Sequence, residues 1–221
     1  MVKSAIITAA GSGNRFGEAK QFKKLLGKPL YQYSLDTFIK SKLFNEIILV
    51  IPKIDQEKIQ EEIKKKYGSK VITVFGGFSR QDSVRNAIKS SSPMTDLVVI
   101  HDAARPFVTK IFIEECIVAC ERADGAIIAV QPYDTIKFSK GKKVERTIDR
   151  SSIWMAQTPQ AFKKEKILEA YNCREFDDLI LTDESSIMEK MGYEIEIVPG
   201  SRKNFKITSL DDWKRAEVEL Q

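Results

Sequence analysis

A glycine-rich segment with two cations has the composition of a phosphate-binding loop. It spans residues 9–21, directly after an apolar run, and contains Gly11 and Gly13. Glycines let the backbone approach a ligand closely and turn its N–H groups toward phosphate oxygens. Arg15 and Lys20 add two positive charges, which could balance a triphosphate and the five-coordinate phosphorus of its transition state. A simple turn followed by two solvated cations is the alternative interpretation.

Two common nucleotide-binding motifs do not fit this segment. A dinucleotide fingerprint needs its third glycine where Phe16 stands, which disfavours an NAD-dependent oxidoreductase. A Walker A loop needs a different lysine spacing and a following Ser or Thr, and Lys20 meets neither requirement. The segment therefore predicts a phosphate site of another kind.

A second glycine pair opens the cluster at residues 76–83. It follows an apolar run and leads into a polar helix start that contains Ser83. Gly77 and Ser83 are therefore candidates for a nucleobase or ribose pocket, although a turn with a helix cap would have the same composition.

A third cluster, residues 101–106, closes another apolar run. Asp102 could hold a magnesium ion or a ribose hydroxyl, and Arg105 could reach an acceptor phosphate. Capping of the next turn is the competing interpretation of Asp102. His101 is the one histidine of the chain, and we interpret it as a structural residue of the strand end rather than a general base.

Further candidates are spread over the second half of the chain. Arg150 ends a predicted hairpin, and Lys206 lies on a short strand predicted over 205–207. Asp183 and Glu184 have the positions of acids in a first helical turn, so a structural role is their default interpretation. The remaining polar positions of this group are Asp134, Thr135, Asp149, Thr158, Pro159, Gln160 and Thr182.

The elements that must position these residues alternate along the chain. Strands are predicted over 5–9, 47–51, 71–75, 97–100, 126–130 and 194–198, and helices over 29–39, 55–67, 80–88, 111–122, 163–172, 183–191 and after Ser209, an N-cap candidate. This order predicts an α/β fold, Rossmann-like and doubly wound, with a mostly parallel sheet. Ligands of such sheets bind beyond the carboxyl ends of the strands, where three of the clusters stand.

The alternation is interrupted by a predicted β-hairpin arm at about residues 131–150. Strand patterns over 135–138 and 144–148 flank a turn-like Ser-Lys-Gly-Lys sequence. Two strands bury too little surface to be stable alone. The arm must therefore pack on its own domain or on a second subunit.

Length and composition indicate one domain over residues 1–221, because 43% hydrophobic residues suffice for one full core. The net charge of +5 is modest and the lysine run 64–66 shares its helix with three glutamates, which argues against nucleic-acid binding. We expect no membrane association, because the sequence has no apolar run of spanning length. We also expect no disulfides and a cytoplasmic location, because three cysteines without metal-ligand spacing suit a reducing compartment.

Taken together, the segments resemble the cytidylyltransferases that act on 2-C-methyl-D-erythritol 4-phosphate in the non-mevalonate isoprenoid pathway. The resemblance covers nearly the whole chain, and its motifs keep the order of the family. The matching stretches are residues 9–15, 20–21, 76–77, 82–84, 101–106, 134–135, 149–150, 154, 157–160, 182–186 and 204–208.

The resemblance implies a reaction in which an acceptor phosphate oxygen attacks the α-phosphorus of CTP. Arg15 and Lys20 would stabilise that phosphate as it becomes five-coordinate, and Arg150 and Lys206 would position the acceptor phosphate. Mg²⁺ would be the cofactor, with Asp102 as a ligand. The implied substrate-binding residues are Ala9, Ala10, Gly11, Gly13, Gly77, Ser83, Asp102, Ala103, Arg105, Thr135 and Thr158.

The resemblance also implies a homodimer whose arm reaches into the active site of the neighbouring subunit, which would place Thr135 and Arg150 there. The chain departs from the family at Ala19, where a proline is usual before the Lys-Gln pair. A less restrained loop is the expected consequence, with weaker nucleotide affinity and the same reaction.

Two other functions remain open at this point. A ribitol 5-phosphate cytidylyltransferase would share the phosphate-binding residues, but Ala9-Ala10-Gly11 and Ala103-Ala104 suit the methylerythritol enzymes better. A non-catalytic nucleotide-binding module is disfavoured, because all four cations of catalytic type (Arg15, Lys20, Arg150 and Lys206) are present.

Overall fold

A computed structural model describes residues 1–11, 16, 19–54, 56–173 and 182–221. Eleven strands lie within this part of the chain: β1 (Lys3–Thr8), β2 (Lys24–Leu25), β3 (Lys28–Pro29), β4 (Glu46–Ile51), β5 (Ile72–Phe75), β6 (Leu97–Asp102), β7 (Gly125–Val130), β8 (Ile136–Lys140), β9 (Lys143–Ile148), β10 (Met155–Lys163) and β11 (Ile195–Pro199). The α-helices described are α1 (Leu30–Ser41), α2 (Gln56–Tyr67), α3 (Arg80–Ser90), α4 (Lys110–Arg122), α5 (Lys164–Asn172), α6 (Ser185–Lys190) and α7 (Leu210–Glu219).

Seven strands form the central sheet in the order β11-β7-β10-β6-β1-β4-β5. Six of them are parallel to one another, and β10 runs antiparallel between β6 and β7. The prediction of a doubly wound, mostly parallel α/β sheet is thereby confirmed.

Helices cover both faces of the sheet, which explains the continuous apolar runs of its central strands. In β1, Ala5 and Ile7 face one core cluster with Leu35 and Phe38 of α1. Ile6, between them, faces the opposite cluster, which contains side chains of α3, α5 and α6. A strand buried on both faces needs apolar residues at every position, so it lacks the alternation of a half-exposed strand.

The sequence patterns missed the short strands β2 and β3, and they misassigned two longer segments that border the site. Residues 155–163 carried no strand prediction because Gln157, Thr158 and Pro159 are polar or lack an N–H, yet they lie inside β10. The pairing register of β10 shifts between Ala156 and Gln160, and such a bulge is where a central strand tolerates proline. Conversely, the strand predicted over 205–207 was wrong, because the segment belongs to no strand.

The helix starts next to the site are set by local capping. Ser79 accepts a hydrogen bond from the Asp82 N–H while the Asp82 carboxylate accepts one from the Ser79 N–H, so α3 begins with a capping box. Ser209 and Asp212 form the same arrangement at α7, which confirms the predicted N-cap.

The predicted hairpin arm is confirmed as the β8–β9 ribbon. Its strands pair antiparallel and join neither of the other sheets. Gly141 in its turn has φ +59°, a left-handed conformation that glycine adopts without strain. Phe138 and Val144 are 48% and 63% exposed, so the described part of this chain leaves these two apolar side chains of the arm largely uncovered. In the described residues, no helix combines the length and apolarity needed to cross a membrane.

Candidate active site

The loops after β1, β5 and β6 surround a cavity of about 430 Å³ at the carboxyl ends of these strands. Seven of its lining residues are sequence-predicted site residues: Ala10, Gly11, Lys20, Gly77, Ser83, Asp102 and Lys206. Segments that are far apart in the sequence therefore meet at the edge of the sheet where ligands of this architecture bind.

Close packing of two loops explains the glycine pair after β5. A Cβ on Gly76 would lie 2.4 Å from the Ala10 Cβ and 2.9 Å from the Ser83 Oγ, and a Cβ on Gly77 would lie 2.2 Å from the Asp82 Cβ. The Ser83 hydroxyl accepts a hydrogen bond from the Gly77 N–H (3.0 Å) and donates one to the Ser79 carbonyl (2.9 Å). Ser83 thus holds this wall of the cavity in shape.

Asp102, at the end of β6, is surrounded by cations. Its Oδ2 accepts from Lys206 Nζ at 2.7 Å and lies 3.9 Å from Arg105 Nε, while its Oδ1 accepts from Arg80 Nε at 3.3 Å and from Thr8 Oγ1 at 3.2 Å. Burial acts to raise the pKa of this carboxyl, but Lys206, Arg80 and Arg105 outweigh it and hold the pKa well below its usual range. Asp102 is therefore ionised at neutral pH.

His101 is buried and connects Asp102 to Arg105 through a directed chain of hydrogen bonds. Its Nε2 lies 3.1 Å from the Arg105 carbonyl and its Nδ1 lies 3.0 Å from Thr158 Oγ1. Burial lowers its pKa to about 4, so the ring is neutral and Nε2 must carry the proton because a carbonyl can only accept. Thr158 then donates to Nδ1 and accepts from the Asp102 N–H at 3.1 Å. This arrangement fits the structural interpretation of His101.

A smaller cavity of about 170 Å³ adjoins the first and shares Arg80, Asp102 and Lys206 with it. Arg105 and Thr158 also line it. The lining therefore combines three guanidinium or ammonium groups with two carboxylates, Asp102 and Asp183. The cations outnumber the carboxylates by one, which suits a phosphate group.

Sequence reasoning missed Arg80 and Glu184 as site residues. Arg80 Nη1 lies 2.6 Å from Glu184 Oε1, which also accepts from the Tyr171 hydroxyl at 3.3 Å. Glu184 is 1% exposed, and its burial raises the pKa against the opposing effect of Arg80. Asp183 accepts from the Ser186 N–H, as expected of a helix-start acid. The signal in the sequence was Arg80, a cation at the start of the helix that follows Gly77, which needs an acidic partner such as Glu184.

The other predicted site residues lie elsewhere. Ala9 and Ala103 are fully buried behind the main cavity and do not line it, and their N–H groups donate to backbone carbonyls. Thr135 and Arg150 are exposed at the base of the arm, where the Arg150 guanidinium donates to the Tyr133 carbonyl. Within the described residues of this chain, neither lines the two cavities just described. Gly13 and Arg15 fall outside the described residues.

A family model for IspD, 2-C-methyl-D-erythritol 4-phosphate cytidylyltransferase, matches residues 3–221. The chain belongs to this family. A relative from Syntrophus aciditrophicus with that name is 42% identical over an alignment of 223 residues that covers 98% of this chain and 95% of the relative. One from Aquifex aeolicus is 41% identical over 212 residues, covering 95% and 93% of the two chains.

Solved structures with the same assignment share the fold. A 4-diphosphocytidyl-2C-methyl-D-erythritol synthase from Anaerococcus prevotii superposes with a TM-score of 0.89 at 34% identity, covering 100% of this chain and 96% of that one. The Francisella tularensis IspD superposes with a TM-score of 0.84 at 31% identity, covering 99% and 100%. Membership in the IspD family makes this chain a nucleotidyltransferase and favours the methylerythritol enzyme over the ribitol enzyme and the non-catalytic module.

The donor set of the main cavity fits a magnesium ion that receives most of its ligands from a nucleotide. No group of three or more His, Cys, Asp or Glu side chains that could hold a metal occurs among the described residues. Asp102 supplies one ionised carboxylate beside a cavity large enough for phosphates and water. Mg²⁺ is usually held by one or two carboxylates together with substrate phosphates, so one carboxylate is sufficient here.

Proposed function

We propose that this chain transfers CMP from CTP to 2-C-methyl-D-erythritol 4-phosphate, which yields CDP-methylerythritol and pyrophosphate. The observation that carries the proposal is that Lys20 and Lys206, from near the two ends of the chain, line one cavity together with Asp102. Relatives that carry the name of this activity match over nearly their full lengths.

The chemistry requires two anionic groups to approach each other. An oxygen of the acceptor phosphate attacks the α-phosphorus of CTP, a new P–O bond forms, and the bond to the bridging oxygen of the β-phosphate breaks as pyrophosphate leaves. Such a transfer depends on positioning and on neutralisation of charge more than on a covalent catalyst. Lys20 and Arg15 stabilise the five-coordinate α-phosphate, and Lys206 and Arg150 position the acceptor phosphate.

CTP occupies the main cavity, lined by Lys20, Asp102 and Lys206, in this proposal. Ala10, Gly11 and Gly77 of its lining contact the base, with Ala9 and Ala103 as the buried support behind them, and Ser83 and Asp102 lie near the ribose. Gly13 is proposed to contribute to the same nucleotide site. Gly11 is exposed at the cavity, so its backbone is accessible to a ligand. Lys20 is 6% exposed at the cavity wall, where low solvent access strengthens its interaction with phosphate.

Mg²⁺ is the proposed cofactor, held by Asp102 and by the phosphates of the nucleotide. The ion supplies neutralisation of the triphosphate charge when it is bound. Asp102 is already ionised, so no proton has to leave before it acts as a ligand. Lys206 and Arg80 contact the two carboxylate oxygens of Asp102, and both cations would be available to phosphate oxygens if Asp102 held the ion.

The acceptor occupies the smaller cavity, where Arg105 and Thr158 contribute to its walls. We further propose a homodimer in which the arm of one subunit brings Thr135 and Arg150 to the acceptor site of the other. Support comes from the exposed apolar residues Phe138 and Val144, since a two-stranded ribbon needs a surface to pack against. The three cysteines are free thiols, consistent with the cytoplasmic location that we propose.

Pyrophosphate release tests the base, the acceptor and the reaction together. The purified protein is incubated with Mg²⁺, each of the four ribonucleoside triphosphates and either methylerythritol 4-phosphate or ribitol 5-phosphate. We expect release only with CTP and fastest release with methylerythritol 4-phosphate. Faster turnover with ribitol 5-phosphate would overturn the acceptor, and release without an acceptor would overturn the transfer itself.

A further inference from the structure

Asn204 lies beside Arg105 and Thr158 of the smaller cavity and has no role in the proposed transfer. Its side chain is fully buried. The amide Nδ2 donates to Gln157 Oε1 at 3.1 Å and to the Thr158 carbonyl at 2.9 Å. Both partners can only accept, so the amide orientation is fixed with its two N–H groups toward β10.

The bulge of β10 explains why Asn204 is needed at this place. The ladder of β10 with β7 changes register between Ala156 and Gln160, and Asn204 supplies the Thr158 carbonyl with a donor inside this interruption. A buried carbonyl without a partner would be costly. Gln157 is held from its other end as well, because its Nε2 donates to the Ser201 carbonyl at 3.0 Å.

The backbone of Asn204 connects to a second site residue. Its carbonyl accepts from Arg105 Nη1 at 2.9 Å, and its N–H donates to the Ser201 carbonyl at 3.0 Å. Arg105 and Thr158 both line the smaller cavity. A single buried residue therefore contacts two of the groups that surround the proposed acceptor site.

Lys206 follows Asn204 by two positions and is fixed on its other side by Ile207. The Ile207 N–H donates to the Ala104 carbonyl at 2.8 Å, and its side chain is fully buried. The segment belongs to no strand, and the hydrogen bonds of Asn204 and Ile207 attach it on either side of Lys206. These attachments hold Lys206 Nζ 2.7 Å from Asp102 Oδ2.

We propose that Asn204 is a positioning residue for the acceptor half of the site, which it sets by fixing Lys206 and Arg105 relative to β10. It touches no reacting atom. Because it is bonded on the acceptor side only, its loss should affect the acceptor and leave the nucleotide unaffected. The kinetic part of this inference rests on the proposed cytidylyl transfer.

The kinetic experiment compares Asn204→Ala with the wild type. Loss of two buried hydrogen bonds should raise KM for the acceptor or lower kcat by about tenfold or more, with unchanged affinity for CTP measured by calorimetry. Phe205→Leu is the matched control, because Phe205 lies in the same segment but packs on Phe107, with ring centroids 5.1 Å apart. This control should lower Tm, but it should not affect the acceptor more than it affects CTP. An Asn204→Ala enzyme with equal losses toward CTP and acceptor, or with none, would refute the inference.

A double-mutant cycle tests whether Asn204 acts through Lys206. If it does, Asn204→Ala should lower kcat/KM for the acceptor much less in the Lys206→Ala background than in the wild type. The effects of neighbouring residues in one network are not additive. Full additivity would contradict the mechanism.

One further measurement does not depend on catalysis. Lys206 is 31% exposed beside Asp102, and its rate of reductive methylation in the ligand-free protein, followed by peptide mapping, should rise in Asn204→Ala and stay at the wild-type rate in Phe205→Leu. An unchanged methylation rate in Asn204→Ala would refute the positioning role even if transfer to methylerythritol phosphate were never observed. A protein without transfer activity but with the faster rate would refute only the proposed function.

Discussion

Lys206 Nζ and Asp102 Oδ2 form a 2.7 Å ion pair between the two cavities. In the proposed reaction these groups have different partners, since Lys206 binds the acceptor phosphate and Asp102 binds Mg²⁺. The pair therefore keeps both groups at the site before substrates arrive, with Arg80 on the other carboxylate oxygen. An Asp102 carboxylate that lost these cations would be a buried and uncompensated charge.

Replacement of Lys20 tests the charge-neutralisation mechanism. Lys20→Ala should lower kcat by about 10²-fold or more, as expected for a transition-state contact, with little effect on CTP binding. Steady-state pyrophosphate release and calorimetry separate the two effects. Lys24→Ala provides the control, because this exposed lysine does not line the main cavity. Undiminished turnover of Lys20→Ala would remove Lys20 from the mechanism.

Subunit mixing tests whether the arm acts in the neighbouring site. Arg150→Ala and Lys20→Ala homodimers should each be nearly inactive. After mixing and subunit exchange, half of the dimers are mixed and each of these has one site with both cations, so we expect roughly a quarter of the wild-type activity. If Arg150 acted within its own chain, mixing would restore nothing.

The buried neutral His101 should make stability depend on pH. Its pKa is about 4 in the folded protein against 6.5 ordinarily, so the unfolded chain binds the proton more readily. The contribution is fully present above pH 6.5 and is lost as pH falls toward 4, by about 3 kcal/mol in total. Chemical denaturation of wild type and His101→Gln at pH 7 and pH 4.5 measures it. The variant should show a smaller loss between these pH values, and equal losses would contradict the prediction.

Gly76 should not tolerate a side chain. Gly76→Ala places a Cβ 2.4 Å from the Ala10 Cβ, so we expect about 1–3 kcal/mol of destabilisation from overpacking and weaker CTP binding. The double variant Ala10→Gly/Gly76→Ala removes the nearest clash and should recover part of the stability in urea unfolding. No recovery would show that the contact with Ser83 Oγ, or another cause, dominates.

The extent to which the sequence predicted the fold differs between segments for physical reasons. Strands such as β1 are buried on both faces, and their apolar runs are visible locally. The bulged strand β10 has no such local pattern, because Gln157 and Thr158 receive hydrogen bonds from residues far along the chain, such as Asn204. Tertiary contacts replace the local pattern there.

The candidate site shows the same division. Glycines and cations that directly follow strands, such as Gly77 and Lys20, were predicted because chain order fixes their edge of the sheet. Glu184 was not predicted as a site residue, because it reaches the site through its ion pair with Arg80. Arg80 lies on a helix about a hundred residues earlier in the chain. Which acid meets which cation is decided by packing, and the sequence alone gives no distance between them.

The reversed direction of β10 has a consequence for how this enzyme can diversify. Met155 pairs with Val130, so the strand before the arm ends and the strand after it begins side by side, at the edge where the cavities open. The arm is therefore a loop closed at its base by neighbouring strands. Its length and sequence can therefore change without shifting the register of the sheet.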